Sequence, residues 1–285
     1  MKKRMSLMLF YACLCSVFVF GKTITLEDAL KQKRVSSKVM MRYGIDRGIY
    51  LSATNLTKET LSILVPVGFV FQAADSSFQD FIHLDNRTFQ LAAYDTQSMF
   101  MDAMCIHASR RCPAEDAIFL PTTVASGHLL ALTTFALAQK LQNEDGMQSA
   151  LWAITNDHEL TGISNLVLAK FVAQRLGKPL PDYFVNYKTR VEPNLVAETA
   201  LEPLAITGLF QYTLAADQQV KLDLVDSTGR SVLSDYNMVQ TMNQTKGRHR
   251  FTFTLELTGI ARGTYFVKML AVSGGKEWGA KRVVF

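Results

Sequence analysis

From Phe251 to Leu257 large apolar residues occupy every second position, with Thr252, Thr254 and Glu256 between them. A segment patterned that way buries one face as a β-strand. The same period recurs nearby: Val220, Leu222 and Leu224 alternate with Lys221 and Asp223, and Asp226-Ser227-Thr228-Gly229 reads as a turn. Gly263 to Leu270 and Ala280 to Phe285 supply further short strands. Short strands separated by turns in this way predict a β-sandwich over residues 204–285.

The preceding part of the chain is of mixed period. Thr25 with Asp28 three places on marks the start of a short helix through Lys33. Ile49, Leu51 and Ala53 alternate, Asn55 to Lys58 makes a turn, and Leu61 to Val65 returns before Pro66, which predicts a hairpin. Phe78 to Leu84, Thr88 to Ala93 and Ser98 to His107 are further strand candidates. Around Pro121 the period shifts from two to about 3.6. Helices are expected over Gly127 to Leu141, Met147 to Ile154, and from an N-cap at Ser164 to a C-cap at Gly177. Four prolines between Lys178 and Pro203 suggest a linker over 181–203. The expected class is α+β, mostly β: a sheet domain over 22–180 covered by helices, then the sandwich.

The first 21 residues predict a different fate. Lys2, Lys3 and Arg4 precede an uncharged apolar run from Leu7 to Phe20, and Gly21 follows. That order is the pattern of a cleaved secretion signal, with Lys22 as the mature start. The run spans about 14 residues, short of the roughly 20 that cross a bilayer, so no transmembrane anchor is expected after cleavage. Cleavage lowers the formal charge from +5 to about +2 and removes the basis for a nucleic-acid partner. It also leaves only Cys105 and Cys112, for which a disulfide is the default expectation in an oxidising compartment.

Ordinary catalytic patterns are missing. His83, His107, His128, His158 and His249 are scattered without a metal-binding spacing. Asp157-His158-Glu159 reads as a solvated corner after Trp152, and Ser126-Gly127-His128 lacks the nucleophile-elbow pattern. Neither an enzyme nor a cofactor is expected.

Two resemblances add to these readings. Gln211 to Leu214, Val220 to Val225, Asp226 to Arg230, Gly247 to Phe253 and Gly263-Thr264-Tyr265-Phe266-Val267-Lys268 resemble the immunoglobulin-like sorting domain that ends many Bacteroidetes proteins exported by type IX secretion. The Gly274-Gly275-Lys276 turn and Lys281 to Phe285 look like its final hairpin. That resemblance implies surface delivery through secretion machinery. Met104-Cys105-Ile106-His107 together with Met147-Gln148-Ser149-Ala150-Leu151-Trp152 loosely resembles the thioester domains of bacterial surface adhesins, with Met147 where their motif has threonine. It implies a Cys105–Gln148 thioester shielded by Trp152. Cys105 therefore has three alternatives: disulfide, thioester or free thiol.

The functional expectation is a secreted or cell-surface interaction and adhesion protein for a protein or glycan ligand. The alternatives are a periplasmic or envelope structural protein with a docked sandwich, and a covalent adhesin acting through the thioester.

Overall fold

The computed structural model describes residues 23–43, 48–189, 193–233 and 239–285; the expected secretion signal lies outside them. The fold is α+β and mostly β. Strand β1 (Ile24–Thr25) runs into helix α1 (Leu26–Lys31), where the Thr25 hydroxyl accepts the Asp28 backbone N–H and caps the helix. Then follow β2 (Val35–Arg42), β3 (Gly48–Asn55), β4 (Leu61–Val65), β5 (Phe69–Ala73), β6 (Phe81–His83), β7 (Arg87–Leu91), β8 (Thr96–Met101), β9 (Ala103–Cys105) and β10 (Ile118–Val124).

These strands make two sheets, β1-β4-β7 and a seven-stranded sheet ordered β8-β3-β2-β10-β5-β6-β9. Strands β8 and β9 lie at opposite ends of that order yet are separated in sequence by Asp102 alone. Residues two apart lie within about 7 Å of each other, so the sheet must curl until its ends meet at Asp102. The enclosed core takes Leu51, Phe71, Phe81, Met101 and Phe119 from the curled sheet and Leu26, Ile63 and Leu91 from the smaller sheet and α1.

The expected hairpin between Ile49–Ala53 and Leu61–Val65 does not form, because those segments belong to different sheets. Both edges of β3 are already filled, by β2 over eight residue pairs and by β8. The turn after β3 instead carries the chain across to the small sheet. It is tied there by buried Asn55, whose side-chain amide donates to the carbonyls of Glu59, Leu91 and Ala92.

Helices α2 (Gly127–Gln139), α3 (Met147–Thr155) and α4 (Leu166–Leu176) pack against the β6 and β9 side, burying Leu132, Ala150, Leu151, Leu168 and Val172 against Ile82 and Ile106. Phe135 and Phe171 stack between α2 and α4 with ring centroids 4.1 Å apart. The α4 cap is Asn165, one residue past the expected Ser164; its side chain accepts the N–H groups of Val167 and Leu168. Gly177 closes the helix in the left-handed conformation, as expected.

Gly146 precedes α3 with φ +90°, and a Cβ there would lie 2.7 Å from the Ser164 backbone nitrogen. Gly146→Ala is expected to destabilise the protein by about 1–3 kcal/mol, since both strain and overlap oppose it. Urea unfolding followed by circular dichroism checks this; an unchanged midpoint would show that α3 can shift to make room.

The predicted linker is a correction. Residues 183–189 form β11 (Tyr183–Thr189), an edge strand against β12 (Leu201–Leu214). Pro203 was part of the linker signal, but it sits in β12 ahead of the first pairing with β15, so its missing N–H leaves no gap on that side. Strands β13 (Gln218–Val225), β14 (Gln240–Gln244), β15 (Gly247–Glu256), β16 (Thr264–Ala271) and β17 (Glu277–Val284) complete two sheets, β11-β12-β15 and β14-β13-β16-β17. Between them lie Phe210, Leu222, Leu224, Phe253, Leu255 and Val267. The sandwich and its final β16–β17 hairpin agree with the sequence pattern.

Residues 193–200 do not connect loosely either. Asn194, Ala197 and Glu198 donate backbone N–H groups to the carbonyls of Cys112, Arg110 and Ala108, and Cys112 donates to Leu195. Arg111 in turn bridges to Phe78 on its other side. A small apolar cluster of Ala108, Cys112, Trp152 and Ala197 closes the joint. Among the described residues, no helix is long and apolar enough to cross a membrane.

Candidate functional site

Cys105 ends β9, where Phe81 of β6 is its partner. One further in-register hydrogen bond, from the Ile106 N–H to the Asp80 carbonyl, follows that pair. Helix α3 delivers Gln148 from its first turn, and the Gln148 side-chain nitrogen donates to the Cys105 carbonyl at 2.7 Å. Trp152 lies one turn further along the same helix face, four residues on, and is 2% exposed. The structure thus brings together the three residues that the motif resemblance singled out, although 43 residues separate Cys105 from Gln148.

All three line a cavity of about 240 Å³, together with Cys112 and a residue that sequence reading missed, Gln79. Gln79 is fully buried. Its side-chain nitrogen donates to Cys112 Sγ at 3.6 Å, and among the described residues Oε1 has no partner. The Trp152 indole N–H is likewise unpartnered among the described residues. Met41, Phe81, Met104 and Pro113 supply much of the remaining wall. The signal for Gln79 is tertiary: it precedes a three-residue strand and belongs to no motif.

The expected disulfide is also corrected, since Cys105 and Cys112 both stand as thiols. Cys105 is held in the β6 pairing, and Cys112 in the ribbon with Leu195 and against Gln79. Burial pushes the Cys105 thiol far above its usual range, and Cys112 nearby pushes it the same way. Cys105 is therefore a protonated thiol at neutral pH rather than a poised thiolate.

Behind the cavity wall lies a charged knot that sequence reading also missed. Asp80 accepts the Ala73 backbone N–H at 2.9 Å, His107 Nε2 at 2.9 Å and Arg110 at 3.2 Å. Burial alone would raise the Asp80 carboxyl, yet the His107 and Ala73 hydrogen bonds and the charges of His107 and Arg110 hold it below its usual value.

The other histidines do not converge on the cavity as a group. His83 is buried with Nδ1 at 2.7 Å from the Asp102 carbonyl, and burial lowers its pKa, so it serves the sheet closure as a neutral ring. His158 stands edge-on to Trp152 and 3.4 Å from Glu198. Asp157 pairs with Lys178 at the surface. Among the described residues no group of three or more His, Cys, Asp or Glu is placed to hold a metal ion. A wider cleft of about 760 Å³ separates the first unit from the sandwich and mixes Glu159 and Glu198 with Arg262 and Arg282.

Fold and cavity together define an α+β, mostly β protein with two Cys–Gln neighbours around one small apolar chamber. No protein-family model matches the chain, and no match is found among curated proteins or solved structures.

Proposed function

We propose that this is an exported, surface-exposed adhesion protein that captures its partner covalently through an internal thioester between Cys105 and Gln148. The observation that carries the reading is the hydrogen bond from the Gln148 carboxamide to the Cys105 backbone carbonyl, with both residues lining one apolar chamber. The Cys105 sulfur would bond to the Gln148 side-chain carbonyl carbon as the C–N bond breaks, and the thiol proton would leave with the nitrogen as ammonia. Desolvation that disfavours a thiolate does not penalise a thioester, which is neutral. A partner's amine would then displace the sulfur, leaving a stable amide and a restored thiol.

Export rests on the charged start and apolar run of residues 1–21, and surface delivery on the sorting-domain resemblance of the sandwich. Intact mass of the purified mature protein tests the chemistry. Loss of one ammonia, and a one-to-one adduct with ethylamine that Cys105→Ser abolishes, are expected; a full mass without adduct sinks the thioester.

A second reading has its own support. The ribbon between residues 108–112 and 194–198 fastens the sandwich to the first unit, as a docked structural protein of the envelope requires. Protease treatment of whole cells separates the two: digestion fits surface exposure, and protection until the outer envelope is broken fits the structural role.

A further inference from the structure

Cross-strand pairing on the outer face of the sandwich sets Gln211 opposite Arg250 and Thr213 opposite Arg248. All four are exposed, whereas Phe210, Tyr212 and Leu214 between them are buried. They line a groove of about 440 Å³, together with Tyr212 and His249, and among the described residues no Asp or Glu lines it. We propose that this groove binds an acidic polysaccharide, with Arg248 and Arg250 holding sulfate or carboxylate groups of the sugar chain. The site goes beyond the covalent reading above and needs nothing of the Cys105–Gln148 chemistry.

Two residues apart on one strand face, the arginines are rooted about 7 Å from each other, and their like charges repel. Elsewhere the sandwich pairs its cations with carboxylates: Lys221 meets Asp223, Arg230 meets Asp226, Lys268 meets Glu277 and Lys281 meets Asp182. Among the described residues Arg248 and Arg250 meet none. Asp217, at the adjacent turn, accepts the Lys246 backbone N–H at 2.7 Å instead. An anion set against the two guanidinium groups relieves the repulsion, and each planar fork suits bidentate contact with its oxygens. Gln211 and Thr213 add an amide N–H and a hydroxyl as further donors.

The surroundings favour a sugar chain over other polyanions. Thr252, Thr254 and Thr207 carry exposed hydroxyls along the same face beyond the arginines, suited to the hydroxyls of further sugar units. Single-stranded nucleic acid would need free aromatic faces for its bases, yet the Tyr212 and His249 rings stack on each other with centroids 5.1 Å apart. A lipid surface would need apolar side chains to enter it, and no exposed large apolar residue lines the groove. The groove is also held ready for a ligand. Its strands stay paired from Ala205 with Glu256 to Leu214 with Gly247, and His249 Nε2 lies 2.7 Å from the Thr245 carbonyl, which ties the turn before β15. Along β12 the site is about 30 Å from Leu201, which follows the joint with the first unit, so it stands at the far end of the sandwich.

The test titrates the purified mature protein into fluorescently labelled dextran sulfate, polygalacturonate and unmodified dextran at fixed salt, with binding read by fluorescence anisotropy. Binding to one or both acidic polymers and none to dextran is expected, and the polymer that binds tells sulfate from carboxylate. Arg248→Gln combined with Arg250→Gln should weaken that binding about tenfold. Lys33→Gln combined with Lys58→Gln removes the same charge from exposed positions of the first unit and should leave binding as in the wild type. The assignment is overturned if the wild type binds neither acidic polymer, if the arginine variant binds as the wild type does, or if the lysine variant loses as much. Equal affinity for a DNA duplex or for phosphatidylglycerol vesicles overturns it too, because the groove would then read charge alone. Should the double arginine variant fail to fold by circular dichroism, Arg248→Gln and Arg250→Gln decide singly, each expected to weaken binding about threefold.

Discussion

Trp152→Ala is expected to lower the unfolding free energy by about 3–5 kcal/mol, the range for removing a large aromatic from a packed core. Trp152 is the largest fully buried side chain of the chain's described part. It is also the piece around which the joint closes, packed with Ala108, Cys112 and Ala197 and met edge-on by His158. The small residues around it cannot expand into the space it would leave, so little of the loss is recovered by relaxation. Urea unfolding followed by far-ultraviolet circular dichroism measures the effect, and hydrogen exchange at the amides of Cys112, Asn194, Ala197 and Glu198 should rise with it. A loss below about 1 kcal/mol would mean that the joint contributes little to stability.

A comparably large effect is expected at Asp80. Replacing it by alanine takes the carboxylate from Arg110, His107 and the Ala73 N–H at once, which for a buried pair costs about 3–5 kcal/mol. The pH dependence has a definite sign. The Asp80 carboxyl is held below its unfolded value, so its contribution is complete above the ordinary carboxyl range. That contribution is lost as pH falls through the lowered folded value. Asp80→Asn should therefore narrow the gap to wild type as the solution is acidified, with both measured by urea midpoint between neutral and acidic pH. A gap that stays constant over that interval would show that the charge on Asp80 is not what stabilises the knot.

Much of the sandwich was legible because its strands keep strict alternation. Phe253 and Leu255 face inward and Thr252 and Thr254 outward, as their spacing requires. Helix boundaries were legible where glycine or an N-cap marks them, at Thr25 and Gly177. What failed had weak or misleading local signals. Strand β2 buries Val35, Val39 and Met41 on one face, but Ser37 on that face and Met40 on the other blur the apolar alternation in the sequence, and β10 contains Pro121 and a register shift before Val124. The prolines flanking β11 resemble those of a linker, although the segment between them pairs along its whole length.

The candidate site divides in the same way. Cys105, Gln148 and Trp152 were picked from motifs, and chain folding brings them to one cavity. Gln79 and the Asp80 knot had no motif, and their roles exist only through residues some 30 positions away.

By itself the sequence determined the class of fold, the alternation that orients the sandwich strands, the helical block and the helix face shared by Gln148 and Trp152. These depend on periods of two and 3.6, which are properties of neighbouring residues. Only the tertiary structure decided that β3 pairs with β2 and β8 rather than β4, that Cys105 and Cys112 stand as thiols, and that Gln79 faces Cys112. Those outcomes depend on which distant backbone edges are already occupied and which buried polar groups find partners, and neither is a local property of the chain.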